Sequence, residues 1–176
     1  MLADELDVRR DALSLITNGL YVLTSRTDDS VHAITVSWVT QVSAQPPTVL
    51  VALRRNSHLS AAVHKAKRFA LNILASDQDE LAEKFFRHVV IAQPTGALED
   101  APFRLGQARV PLLTDAMAWI ECRLIGSPES SGDHELVLGE VIGSGVRRQE
   151  APMVLWQTPW TYGSHTPLDA DSDNSP

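Results

Sequence analysis

The stretch Val31-His-Ala-Ile-Thr-Val-Ser-Trp-Val-Thr-Gln-Val-Ser-Ala44, followed by Gln45-Pro46-Pro47, reads as one long β-strand. Ile34, Val36 and Trp38 fall on one face while Thr35, Ser37 and Val39 fall on the other, the two-residue period of an extended chain. The phase then slips, because Val39 and Val42 are both apolar, and a bend or bulge is expected there. Pro46-Pro47 ends the strand, since proline cannot donate to a ladder. Upstream, Gly19 to Thr27 reads as a strand, joined to the long one by a polar turn at Asp28-Asp29-Ser30. Downstream, Thr48-Val-Leu-Val-Ala-Leu-Arg54 is a third strand.

The pattern continues with short elements. Ser57 caps a helix over His58–Lys67, which Ala61, Ala62 and Ala66 favour. Phe69-Ala-Leu-Asn-Ile-Leu74 is a strand, and Asp77-Gln-Asp-Glu80 has the spacing of a capping box opening a helix that runs to Phe86. Residues 90–113 are broken by prolines and show no clear period. Strands are expected at 116–127 and 135–143, joined by the turn Ser130-Ser-Gly-Asp133. At the N-terminus, residues 3–15 read as a helix with Leu6 and Leu13 on one face and acids in its first turn. Residues 167–176 read as a disordered acidic tail, so the folded domain spans 1–166. Strands that follow one another directly, with a few short helices, favour an antiparallel barrel over a βαβ sheet. No glycine-rich loop follows a strand, so a Rossmann or Walker fold lacks support.

Composition narrows the partners. A chain of 176 residues with 44% hydrophobic content is one domain with a real core. The net charge of −7 disfavours nucleic acid and anionic membrane as partners, because both reward basic density. It leaves room for a small phosphorylated ligand. No apolar run approaches the ~20 residues of a membrane span, and the acidic start lacks the features of a signal peptide, so a cytoplasmic location is expected. Cys122 is the only cysteine, which excludes an intrachain disulfide and a cysteine-rich metal site; it reads as a small core residue. Histidine and carboxylate spacing indicates no metal site.

Six fragments then occur in a meaningful order: Gly19-Leu-Tyr-Val-Leu-Thr-Ser, Ile34-Thr-Val-Ser-Trp-Val-Thr-Gln-Val-Ser43 running into Pro46-Pro47, Arg55-Asn-Ser-His58, Phe69-Ala-Leu-Asn-Ile-Leu, Asp77-Gln-Asp-Glu-Leu-Ala-Glu-Lys-Phe85 and Gly132-Asp-His-Glu-Leu-Val-Leu-Gly-Glu-Val141. Together they resemble the flavin reductase-like, FMN-binding split-barrel family. The resemblance implies a mainly β fold with short helices: an antiparallel split β-barrel of Greek-key type, holding FMN at a homodimer interface. A strand rich in small hydroxyls suits a flavin, because the flat ring can approach the main chain and be read at its edge by N–H and C=O groups.

By resemblance, Thr35, Val36, Ser37, Trp38 and Val39 line the ring, and the loop Arg54–Ser60, His58 included, completes the slot. The phosphate is expected near Ser43, Arg54, Asn56, Ser57 and Ser60, where hydroxyls, helix N-terminal amides and one arginine make an anion cradle. His134 is the catalytic candidate: its family counterpart lies beside the flavin where nicotinamide docks, and imidazole ordinarily titrates near neutrality. A turn histidine bonded to a backbone carbonyl is the alternative, and Asp133 reads as a turn former that orients it. For Trp38, core packing and an aromatic wall stand equal. Phe85 and Phe86 read as core, His32 as a surface strand residue, and His64 and His88 as solvated helix residues.

The resemblance implies an NAD(P)H:flavin reductase passing hydride from nicotinamide to FMN, with FAD also open and NADH or NADPH as reductant. The reduced flavin would serve a monooxygenase or another redox partner. A flavoredoxin-like FMN carrier reduced by a protein partner, and a cofactor-binding barrel without turnover, are the alternatives. The sequence departs from the family at Leu59, where many relatives carry threonine, at Arg109, and at Trp156 and Trp160 near the C-terminus.

Overall fold

The computed structural model describes residue 8 and residues 11–92 and 96–160. The strands are β1 (Tyr21–Arg26), β2 (Ser30–Val36), β3 (Val39–Ala44), β4 (Pro47–Arg54), β5 (Arg68–Ile73), β6 (Val89–Ala92), β7 (Ala97–Leu98), β8 (Ala101–Leu105), β9 (Pro111–Leu113), β10 (Ala118–Gly126) and β11 (His134–Val146). Helix α1 (His58–Ala66) lies between β4 and β5, helix α2 (Asp79–Glu83) between β5 and β6, and a 3₁₀ turn covers Leu155–Gln157. The main sheet has the order β3-β4-β11-β10-β5-β1-β2-β6, antiparallel throughout, and β7-β8-β9 form a small side sheet.

That order requires a barrel. β2 and β3 are separated in the chain by Ser37 and Trp38 alone, yet six strand spacings apart in the sheet. In a flat sheet those spacings amount to about 29 Å. The peptide units from Val36 to Val39 reach about 11 Å. The sheet therefore curls until the two strands meet at the kink. This corrects the reading of 31–44 as one strand: the break falls at 37–38, and a second irregularity follows between Gln41 and Ser43.

The curled sheet separates two cores. Inside it, Leu23, Val49, Val51, Leu53, Phe69, Leu71, Cys122 and Val137 pack with Leu59 and Val63 of α1, which plugs one opening. Outside it, Val22, Val31, Ala33 and Leu74 pack with Leu81, Ala82 and Phe85. Cys122 is buried, and burial pushes its thiol up to about 12 with a smaller contribution from Glu121, so it is a core residue without thiolate character. Buried Asn72 ties the side sheet to the barrel: its amide donates to the Val22 carbonyl at 3.0 Å and accepts from the Leu113 N–H at 2.8 Å.

Ser57 caps α1 as expected, accepting the Ser60 N–H, and Lys67 at φ 57° closes it. The capping box at Asp77 does not form. Gln78 occupies the N-cap without a side-chain bond to the helix, its amide instead bridging the Ala75 N–H and the Asp115 carbonyl, and Asp77 pairs with Arg148 at 2.8 Å. α2 is also shorter than expected, ending at Glu83. The unassigned segment 90–113 holds most of β6 and all of the side sheet. Of the expected N-terminal helix, residues 11–14 are helical. Val8 is helical too and Leu15 lies in a turn; residues 3–7 and 9–10, and the expected tail at 167–176, lie outside the described residues. No helix among the described residues is long and apolar enough to cross a membrane.

Candidate active site

β4 sets the geometry of the site. Val49, Val51 and Leu53 point into the barrel core, so Leu50, Ala52 and Arg54 point outward. On one side of β4 the kink brings in Trp38, whose carbonyl accepts the Ala52 N–H at 3.0 Å. On the other side β11 begins with His134 opposite Arg54. The two rings meet across the strand with centroids 4.5 Å apart and planes tilted by 51°. Trp38 is 38% exposed and lies against His134, so the indole is not a core residue.

His134 is oriented by its neighbour. Its Nδ1 lies 2.8 Å from the Asp133 carboxylate, leaving Nε2 as the ring nitrogen open to a ligand. The same contact holds the exposed Asp133 carboxyl below its ordinary range: the hydrogen bond from His134 is the largest cause, with the charges of His134 and Arg54 adding to it.

The loop after β4 supplies anion-binding chemistry next to this pair. Arg54 and Asn56 are exposed, Asn56 takes a left-handed φ of 61°, and Ser57 and His58 open α1, where N–H groups and the helix dipole face outward. An aromatic wall, one arginine, one amide and a helix start fit a flat ring carrying a phosphate. Two expected phosphate ligands do not join them. Ser43 pairs with Thr48, six β4 residues from Arg54 and about 20 Å away along the strand. Ser60 is buried, and its hydroxyl donates to the Glu135 carboxylate. Thr35 is likewise committed elsewhere, to the α2 segment outside the barrel: its hydroxyl donates to the Ala82 carbonyl at 2.8 Å and its N–H to the Phe85 carbonyl at 2.7 Å. Val36 and Val39 pack against the barrel core, and Ser37 is buried in the kink between them.

Sequence reading missed Arg55 and Glu135. Arg55 donates its guanidinium to Ser130, Gly132 and His134, and Glu135 binds both Ser60 and His64, the latter at 3.0 Å. For Glu135 a signal existed: it shares strand phase with buried Val137, so its carboxylate points inward and needs partners. His64 is therefore bonded and half-buried rather than solvated.

The structure also corrects His88 and His32. His88 follows α2 instead of lying on it, and stacks between His32, at 5.2 Å and 20°, and His58, at 6.0 Å and 7°. His32 is half-buried and its Nδ1 lies 3.2 Å from His88 Nε2. Burial, then the charges of His32 and His58, lower His88 from 6.5 to about 4. Burial, then His58 and Lys65, also lower His32. Below the ordinary value the unfolded chain binds the proton more readily than the fold does. Stability is thus full above pH 6.5 and declines as the pH falls towards about 4. His88→Gln is expected to flatten that decline, as read from urea midpoints across the window.

Comparison with known proteins places the chain among redox proteins. The sequence profile of the family described as "Flavin reductase like domain" matches residues 13–163. The FMN reductase (NADH) SmoA of Agrobacterium fabrum is 31% identical over 138 residues, covering 78% of this chain and 75% of that protein. The NADPH-flavin oxidoreductase of Streptomyces viridifaciens is 32% identical over 157 residues, covering 86% and 79%. Among solved structures, the styrene monooxygenase flavin reductase SMOB of Pseudomonas putida S12 superposes with a TM-score of 0.68 at 30% identity, covering 82% of this chain and 90% of that one.

Proposed function

We infer that this chain, which belongs to the flavin reductase-like domain family, is an NAD(P)H-dependent flavin oxidoreductase whose site is the cleft between Trp38, His134 and the loop Arg54–His58. The observation that carries the placement is the meeting of Trp38 and His134 across β4, one residue pair from an exposed arginine and a helix N-terminus. FMN, when bound, supplies the redox chemistry by taking a hydride equivalent from NADH or NADPH. The protein's own groups do the rest. Trp38 offers the ring an apolar wall. Arg54, Asn56 and the start of α1 hold the phosphate. His134, with Nδ1 fixed by Asp133, presents Nε2 to the nicotinamide side, where it orients the carboxamide or moves a proton. A monooxygenase that consumes reduced flavin is the partner this chemistry fits.

The phosphate assignment has a direct test. Arg54→Ala is expected to weaken FMN about tenfold and riboflavin less than twofold, by fluorescence titration, because the lost bond is charge-assisted and to phosphate alone. Equal weakening of both ligands would contradict it.

The chain works as a homodimer in this reading. Trp38, Val42, Ile125 and Ile142 are apolar and exposed on β3, β10, β11 and the kink, a surface that a second copy would cover. Sedimentation is expected to give twice the 19.3 kDa mass of the chain. A monomer at micromolar concentration would refute the dimer.

A further inference from the structure

We propose that Arg55 is a positioning residue, which locks the turn carrying His134 to the phosphate loop so that the two ends of the flavin site move as one unit. Among the described residues, its guanidinium reaches only that turn and the His134 that follows it. Nη2 donates to the Ser130 carbonyl and hydroxyl, both at 2.8 Å, and to the His134 carbonyl at 3.3 Å; Nε donates to the Gly132 carbonyl at 3.3 Å. Its main-chain N–H donates to the Asp133 carbonyl at 2.8 Å. The Ser130 hydroxyl in turn donates to the His134 carbonyl.

These acceptors decide the role. No carboxylate among the described residues lies within ion-pair distance of Arg55, so its charge is met by carbonyl and hydroxyl oxygens. An arginine retained for charge balance takes an acid; a planar fork spread over one short turn fixes that turn's shape. Besides Arg55, the turn is tied to β11 by the Ser127 hydroxyl, which donates to the Leu136 carbonyl at 2.7 Å, and by the Ser130 hydroxyl. Residues 127–129 and 131–133 are exposed, and nothing lies within 4 Å of a Cβ position on Gly132. Glu135 ties β11 to α1 through Ser60 and His64, but it lies after His134. Arg55, unlike Glu135, grips the residues before it.

The proposal rests on the reading of His134 given above, and its test separates the two. Wild type, Arg55→Ala and Arg55→Lys are compared with and without His134→Ala, following nicotinamide-driven flavin reduction. Arg55→Ala is expected to lower kcat about tenfold, since small misplacements of a reacting group are costly, with KM for FMN and for riboflavin within about twofold. Lysine is expected to restore little, because an ammonium lacks the fork. In the His134→Ala background Arg55→Ala is expected to change kcat less than twofold. An equal loss in both backgrounds, or a rise in KM for FMN alone, would overturn the positioning role.

Amide exchange supplies the arm that does not depend on activity. Arg55→Ala is expected to speed exchange across 130–134 about tenfold and to leave α1 unchanged. Unaltered exchange would overturn the lock even in an active enzyme. A wild-type protein that oxidises neither nicotinamide would refute the reductase reading instead, while exchange still decides the lock.

Discussion

His134→Ala is expected to slow flavin reduction by NADH or NADPH about a hundredfold, within the range for removing a positioned proton-transfer group. Affinity for FMN is expected to stay within about threefold, because Arg54, Asn56 and the α1 start, to which the phosphate is assigned in the proposed site, are untouched. The argument is geometric. The imidazole is fixed on one edge by the Asp133 carboxylate at 2.8 Å and on one side by the Trp38 indole at 4.5 Å. A ring held at both places presents one nitrogen in one direction. Asp133→Asn keeps a hydrogen-bonding group but removes the charge, and is expected to cost less than His134→Ala. Anaerobic single-turnover mixing separates the loss of rate from loss of binding. An unchanged rate in His134→Ala would remove the histidine from the reaction.

The largest expected loss of stability is at Phe69→Ala, about 3–5 kcal/mol, because a fully buried aromatic leaves a cavity. Phe69 is 0% exposed on β5, amid Leu23, Val51, Leu53, Leu71 and Val137, with Leu59 and Val63 of α1 in the same cluster. Its ring also occupies the place where a side chain on Gly139 of β11 would begin; a Cβ there would overlap the ring and come within 2.9 Å of the Cys122 Cβ. Gly139→Ala is accordingly expected to cost about 1–3 kcal/mol through overpacking. Combining Gly139→Ala with Phe69→Leu is expected to cost less than the two singles added, since both changes meet in one contact. Urea unfolding with unchanged m-values checks all three. Additive losses would mean that the ring and the glycine do not share that space.

How far the sequence was legible follows from how far each signal reaches along the chain. Local signals carried well. The alternation of Val31 to Val36 placed β2, Ser57 with its alanines placed α1, and the unbranched run of fragments fixed a mainly β antiparallel barrel. Pairing between distant residues did not carry. The kink at Ser37 and Trp38 is imposed by closure of the barrel, a constraint that no two-residue period contains. Ser43 and Arg54 are near in sequence, but Ser43 on β3 faces Thr48 near the start of β4 while Arg54 ends that strand, which only the register reveals. Ser60 turned away from the phosphate because its acceptor, Glu135, lies 75 residues on. Asp77 lost its cap role to Arg148 in the same way. The segment 90–113 was opaque because strands of two to five residues hold too few positions to show a period. For the site, the sequence named His134, Trp38, Arg54, Asn56, Ser57 and His58; Trp38 meets His134, His134 pairs with Arg54, and the other three follow in the loop and helix start after β4, whereas Arg55 and Glu135 emerged from long-range bonds.

The account turns on the cleft between Trp38, His134 and the loop Arg54–His58 being the place where nicotinamide reduces flavin. Anaerobic mixing of the FMN-loaded protein with NADH and, separately, NADPH tests this most directly, followed at the long-wavelength flavin absorbance. Complete bleaching by at least one nicotinamide, slowed about a hundredfold by His134→Ala, is the expected result. Persistence of the colour with both nicotinamides, in a sample that dithionite bleaches at once, would contradict it and leave a flavin that takes its electrons from another source.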